Sequence, residues 1–151
     1  LQLLERTFDP HTRALITAAG LRPGMSALDV GVGAGSIFQW MGEQVGPTGV
    51  VIGIDRDVRF LKDVTDTRYR VIKGDILSIE PPGLFDLIHV RYVLIHNKEA
   101  QAILRRLVDW LKPGGRLVAE EPDFETAHFL AGEGGPATDR VLKLRRAPPP
   151  V

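Results

Sequence analysis

The segment Ser26 to Ser36, SALDVGVGAGS, limits the fold more than any other stretch of this 151-residue chain. Its first five residues form a short run of strand character, and glycine then takes every second place, at Gly31, Gly33 and Gly35. Glycines at that spacing remove side chains from a strand-to-helix turn, so backbone can lie against a ligand and aim its N–H groups at it. A helix follows: Ile37, Phe38, Met41 and Val45 share one face, and Gly46-Pro47 ends it. The turn therefore predicts a buried strand, a helix packed over it and a ligand site at their junction. A nucleotide-like cofactor is the natural occupant.

The rest of the chain repeats this alternation of short β-like runs and helical patterns, which is the signature of a parallel sheet covered on both faces. Asp9-Pro10 is read as the start of a first helix running to about Ala19. Gly49 to Ile54 is a second strand ending at Asp55, with Asp57 capping a short helix that turns Val58, Leu61 and Val64 inward. Tyr69 to Lys73 and Phe85 to Val90 are the third and fourth strands. Between Asn97, read as an N-cap, and Leu111, the residues Ala100, Ile103, Leu104, Leu107 and Val108 recur at helical spacing. Lys112-Pro113-Gly114-Gly115 leads into a fifth strand, Arg116 to Ala119.

Composition narrows the chemistry. Nineteen basic side chains balance nineteen acidic ones, divided evenly between the halves of the chain, so neither a phosphate backbone nor an anionic membrane is indicated as the main partner. The absence of cysteine removes disulfides, cysteine-ligated metal and thiolate catalysis; no metal site is expected. No apolar run approaches the roughly 18 to 20 residues of a membrane span, and the N-terminal residues lack the layout of a secretion signal. A cytoplasmic protein with no membrane partner is the expectation.

Two cofactor classes use such a glycine turn. The dinucleotide pattern G-x-G-x-x-G would require glycine at position 36, which is Ser36. Asp55 stands where a carboxylate accepts both ribose hydroxyls, and both classes place an acid there.

The chain resembles the class I S-adenosylmethionine-dependent methyltransferases over about residues 9 to 123. LDVGVGAG is similar to that family's first motif, GIDRD (Gly53 to Asp57) to its ribose-binding acid and GDI (Gly74 to Ile76) to its adenine-binding motif. FDLIHVRYVLIH (Phe85 to His96) resembles the fourth strand and its loop, and LKPGGRLVAEEP (Leu111 to Pro122) the fifth. The resemblance implies an α/β, doubly wound parallel sheet of strand order 3-2-1-4-5 with helices on both faces, and S-adenosyl-L-methionine across its C-terminal edge. It also implies roles. Gly31, Gly33 and Gly35 would allow close backbone approach, Asp29 would lie near the cofactor's amino group and Asp55 would hold the ribose. Asp75 would accept from the adenine amine, Ile76 would contact the ring and Arg56 would flank it. Arg91 would sit near the methionine carboxylate or the substrate.

Methyl transfer from a sulfonium asks little beyond alignment and exclusion of water, so a base is optional. Imidazole is the side chain whose ordinary pKa suits it to take a proton near neutral pH. His96, in the loop after the fourth strand, is the catalytic candidate, whereas His89, inside an apolar strand, reads as a hydrogen-bonded structural histidine. The acidic run Glu120, Glu121, Asp123 and Glu125 reads as a solvated loop, with contact to a cationic substrate or a metal as the alternative. A small molecule is the expected methyl acceptor, because the motif that holds a base nitrogen after strand four is absent and the neutral charge gives no hold on nucleic acid.

The family ordinarily continues into a C-terminal antiparallel hairpin, which this chain is expected to lack. Residues 1–130 are read as the cofactor-binding core and 131–151, rich in glycine and proline, as a flexible tail. An exposed edge at strand five would follow, open to homodimer formation. Two other functions compete: a non-catalytic or truncated S-adenosylmethionine-binding domain, and an NAD-dependent oxidoreductase on a related sheet.

Overall fold

The computed structural model describes residues 2–61, 66–122 and 139–145. Its elements, in chain order, are α1 (Gln2–Ala18), β1 (Ser26–Val30), α2 (Ser36–Val45), β2 (Val50–Asp55), β3 (Tyr69–Lys73) and β4 (Phe85–Arg91). A 3-10 turn (Leu94–His96), α3 (Ala100–Asp109), β5 (Leu111–Pro122) and β6 (Asp139–Arg145) complete it. Strands β1 to β5 are parallel in the order β3-β2-β1-β4-β5, the doubly wound arrangement expected.

The sheet is apolar on both sides because helices cover both. Ile37, Phe38, Met41 and Val45 of α2 and Ile16 of α1 pack with Ala27, Val51, Leu87 and Val118 on one face. Ile103 and Leu107 of α3 pack with Leu28, Val30, Ile88, Val90 and Leu117 on the other. Strand parity produces this division, since neighbours along a strand point to opposite faces and register partners on adjacent strands point to the same one. Among the described residues no helix is long and apolar enough to cross a membrane.

Four expectations need correction. The first helix does not begin at Asp9: α1 starts seven residues earlier, with Pro10 inside it. Proline costs that helix one hydrogen bond, and the Asp9 carboxylate, read as a cap, instead pairs with Arg91 Nη2 at 3.0 Å. No helix follows Asp57 over residues 57–61, where Asp57 accepts from the Arg59 backbone and guanidinium; Val64 lies outside the described residues. Asn97 does not cap α3, which begins at Ala100, but closes the 3-10 turn by donating to the Val93 carbonyl at 2.5 Å.

The fourth correction concerns the chain after strand five. Residues 139–145, expected within a flexible tail, form β6 and pair antiparallel with β5 from Pro122↔Asp139 to Arg116↔Arg145. The expected free edge at β5 is therefore hydrogen-bonded. The alternation Leu142-Lys143-Leu144-Arg145 is a strand signal, which the glycines before it and the prolines after it obscured. Residues 131–138 and 146–151 lie outside the described residues.

Candidate cofactor-binding site

The C-terminal ends of β1 and β4 point the same way, and the connections leaving them diverge to opposite faces of the sheet. A crevice must open there. It contains a cavity of about 350 Å³ bounded by Gly31 to Ala34 after β1, by Asp55 and Arg56 at the end of β2, and by Gly74 and Ile76 after β3. Arg91 at the end of β4, Tyr92, Val93, His96 and Asn97 after it, and Phe8 of α1 close the far side.

The glycine turn is built as its spacing suggested. Gly31, Gly33 and Gly35 have φ of +77°, +59° and +93°, a region costly for side chains with a Cβ. A Cβ on Gly31 would lie 2.3 Å from Val93 Cγ2, so only glycine lets the turn and the β4 loop approach this closely. Asp55 closes the turn from β2: Oδ2 accepts from the Gly33 N–H at 2.8 Å and Oδ1 from the Asp57 N–H at 2.9 Å. Opposite, Arg56 Nη2 donates to Asp75 Oδ2 at 2.6 Å and to Asn97 Oδ1 at 3.3 Å, spanning one end of the cavity. Asp75 also accepts from the Leu77 N–H at 3.0 Å. That backbone bond and Arg56 outweigh the effect of burial and hold its carboxyl below the ordinary range.

Of the residues singled out from sequence, Gly31, Gly33, Asp55, Arg56, Ile76, Arg91 and His96 line one cavity. Gly35, the residue preceding α2, and Asp75, between the lining residues Gly74 and Ile76, are not themselves part of the lining. Asp29 is buried below the turn, with Oδ1 at 2.7 Å from His89 Nδ1. His89 has the structural, hydrogen-bonded setting expected of it. Sequence reasoning missed Phe8, Tyr92, Val93 and Asn97; the three after β4 follow immediately on a strand end that was recognised, whereas Phe8 arrives from a helix whose start was misplaced. Tyr92 has φ +55°, the only positive value outside glycine among the described residues, and meets the Phe8 ring edge-on at 5.7 Å.

The acidic run is not a solvated loop. Glu120 is 1% exposed, and Glu121 accepts from the N–H groups of Val93 and Leu94 at 3.1 and 2.8 Å through Oε1, and from Ile95 at 3.1 Å through Oε2. These are the free donors at the start of the 3-10 turn, so one carboxylate fixes the loop that carries Val93 and His96. Asp123 and Glu125 lie outside the described residues. Glu121→Ala is expected to cost about 1–2 kcal/mol, measured as a lower urea midpoint at unchanged slope.

Comparison with known proteins settles the family. A family model described as "Methyltransferase domain" matches residues 21–138. The chain belongs to the methyltransferase domain family. Aklanonic acid methyltransferase DauC of Streptomyces sp. (strain C5) is 32% identical over 145 residues, covering 89% of this chain and 66% of that protein. Demethylmenaquinone methyltransferase of Lactococcus lactis is 30% identical, covering 70% of this chain and 43% of its relative. The crystal structure of a SAM-dependent methyltransferase from Aquifex aeolicus superposes with a TM-score of 0.65 at 25% identity, over 74% of this chain and 63% of the other. The chain thus spans less than two-thirds of the length of these relatives. The Aquifex aeolicus relative is SAM-dependent, and the cavity here has the features such a cofactor would need: a glycine cradle that a Cβ would fill, a carboxylate at the end of β2 and an apolar floor at Ile54 and Ile76.

Proposed function

We propose that the chain binds S-adenosylmethionine across the ends of β1, β2 and β3 and serves methyl transfer to a small molecule entering beside Phe8, Tyr92 and His96. The observation that carries this is the single cavity uniting the glycine turn, Asp55 and the β4 loop. In this reading the turn from Gly31 to Gly35 receives the methionine and ribose parts, and Asp55 moves its acceptor oxygens from backbone to the ribose hydroxyls. Asp75 and the Ile76 backbone take the adenine edge, while Arg56, already tied to Asp75 and Asn97, lies along the ring. Asp29 serves the amino end from below. Arg91 gives two nitrogens to α1, so its part is to hold the cavity wall.

When bound, the cofactor supplies an activated methyl on a sulfonium. What the protein adds is alignment, exclusion of water and, where the acceptor carries a proton, a base at His96. Phe8, Tyr92 and Val93 give the acceptor side an apolar, partly aromatic wall suited to a flat ring. DauC and demethylmenaquinone methyltransferase, both named for small organic acceptors, support this choice.

A thermal melt tests the cofactor assignment. S-adenosylmethionine or S-adenosylhomocysteine at about 100 times its Kd adds roughly 2.7 kcal/mol, or on the order of 5–10 °C for a chain of this size. A rise with NAD alone would overturn the assignment, and a labelled-methyl assay on phenolic and quinone acceptors tests turnover. Asp55→Asn is expected to weaken S-adenosylhomocysteine binding about tenfold or more, the scale of one hydrogen bond to a charged group, measured by calorimetric titration.

A further inference from the structure

Below the cavity, on the face of the sheet covered by α1, Asp29 and Arg91 belong to a larger group of ionisable side chains, of which His89, Glu120 and Asp9 have no part in the reading above. Their meeting follows from register. Asp29 of β1 is the partner of His89 on β4, and Arg91, two residues on, is the partner of Glu120 on β5. Residues two apart on a strand share a face, so all four project toward α1. His89 Nδ1 stands 2.7 Å from Asp29 Oδ1 and its Nε2 stands 3.1 Å from Glu120 Oε2. Thr12 of α1 donates its hydroxyl proton to Glu120 Oε1 at 3.1 Å and accepts from Arg91 Nη1 at 2.8 Å. Arg91 Nη2 completes the path at Asp9 of α1, 3.0 Å away.

Both imidazole nitrogens face carboxylate oxygens. A neutral ring would turn a lone pair toward one of them, so with both carboxylates ionised both nitrogens donate and the ring is cationic. Burial works against that charge, and the bonds and charges of Asp29 and Glu120 overcome it. His89, Asp29, Glu120, Thr12 and Asp9 are all buried. Three carboxylates, Asp9, Asp29 and Glu120, are thus set against two cations, His89 and Arg91. The group carries one net negative charge directly under the glycine turn, where a cationic ligand group would balance it.

We propose that His89 is a positioning residue: its imidazolium fixes Asp29 under the cofactor's ammonium group and, through Glu120, Thr12, Arg91 and Asp9, links cofactor binding to the seating of α1. The proposal rests on the cofactor assignment above. Its consequence for the acceptor is direct, because Phe8, next to Asp9, and Tyr92, next to Arg91, are walls of the cavity. A cofactor that holds Asp29 thereby steadies the helix that shapes the acceptor side, and a loosened helix weakens the hold on the cofactor.

Two variants of the full chain test this, His89→Gln and Thr12→Val, the second exchanging one hydroxyl for a methyl at the α1 end of the path. Calorimetric titration with S-adenosylhomocysteine and amide hydrogen exchange across residues 7–18 are the readouts. The expected result is a Kd raised about tenfold in His89→Gln and about threefold in Thr12→Val, with ligand-induced protection of α1 present in the wild type and absent in both variants. Purely structural histidine and threonine would lower melting temperatures but leave Kd within twofold and the protection intact, and that result overturns the proposal. Should His89→Gln lose its cooperative melt, Thr12→Val decides alone. A wild type that binds no S-adenosylhomocysteine fails the cofactor assignment and the proposal together; one that binds normally leaves only the link to α1 in question.

Discussion

Gly31→Ala will cost roughly 1–3 kcal/mol of stability and reduce S-adenosylhomocysteine binding by about a hundredfold or more. Two effects combine. The residue has φ +77°, which alanine adopts only under strain, and its new Cβ would lie 2.3 Å from Val93 Cγ2. Val93 has little room to yield, because Glu121 holds the N–H groups of Val93, Leu94 and Ile95. The turn must therefore move into the cavity, where the cofactor's methionine part is assigned. Gly46→Ala is the control. Gly46 has φ +64° but an added Cβ meets nothing within 4 Å, so that variant bears the backbone strain alone and should bind S-adenosylhomocysteine as the wild type does. Urea unfolding and calorimetric titration of both variants separate strain from obstruction; Gly31→Ala binding within threefold of wild type would show that the turn does not touch the ligand.

The contrast between these two glycines marks where sequence was informative. The turn at Gly31 to Gly35 was legible because every part of it is local: a strand, three glycines at fixed spacing and a helix with one apolar face. That the sheet is parallel was legible for a similar reason, as alternating local patterns leave few ways to bury a sheet on both faces, whereas its order 3-2-1-4-5 came only with the family resemblance. What was not legible depends on partners far away in the chain. Asp9 looked like a helix cap because caps are read from neighbours, whereas its partner Arg91 is 82 residues distant. Glu120 and Glu121 looked solvated as members of an acidic run. One instead meets His89 on the neighbouring strand and the other meets three backbone donors in a loop 26 or more residues earlier. β6 was hidden because an edge strand needs only a few alternating residues, and its pairing with β5 supplies most of what fixes it.

His89 yields the second large effect, a pH dependence whose sign its setting determines. Burial lowers the imidazole pKa, but the hydrogen bonds and charges of Asp29 and Glu120 outweigh it, carrying the value from 6.5 to about 9. The folded state thus binds the proton more tightly than the unfolded chain. Such a group contributes stability that is fully present below about pH 6.5 and is lost as pH rises to about 9. The shift corresponds to roughly 3 kcal/mol, a large share of the roughly 5–15 kcal/mol by which domains are stable. Urea unfolding at steps from pH 6 to 9.5 should show that decline, while the lowered carboxyls of Asp57, Asp66, Asp75 and Asp86 matter only in acid. In His89→Leu two buried carboxylates lose their cation, at a cost of about 3–5 kcal/mol near neutrality. Burial then raises the Glu120 carboxyl with no imidazolium to offset it, so the variant gains stability on mild acidification, where the wild type's His89 contribution is already constant. A wild-type curve level from pH 6.5 to 9 would mean that the histidine is neutral when folded and that one carboxylate of the pair carries its proton.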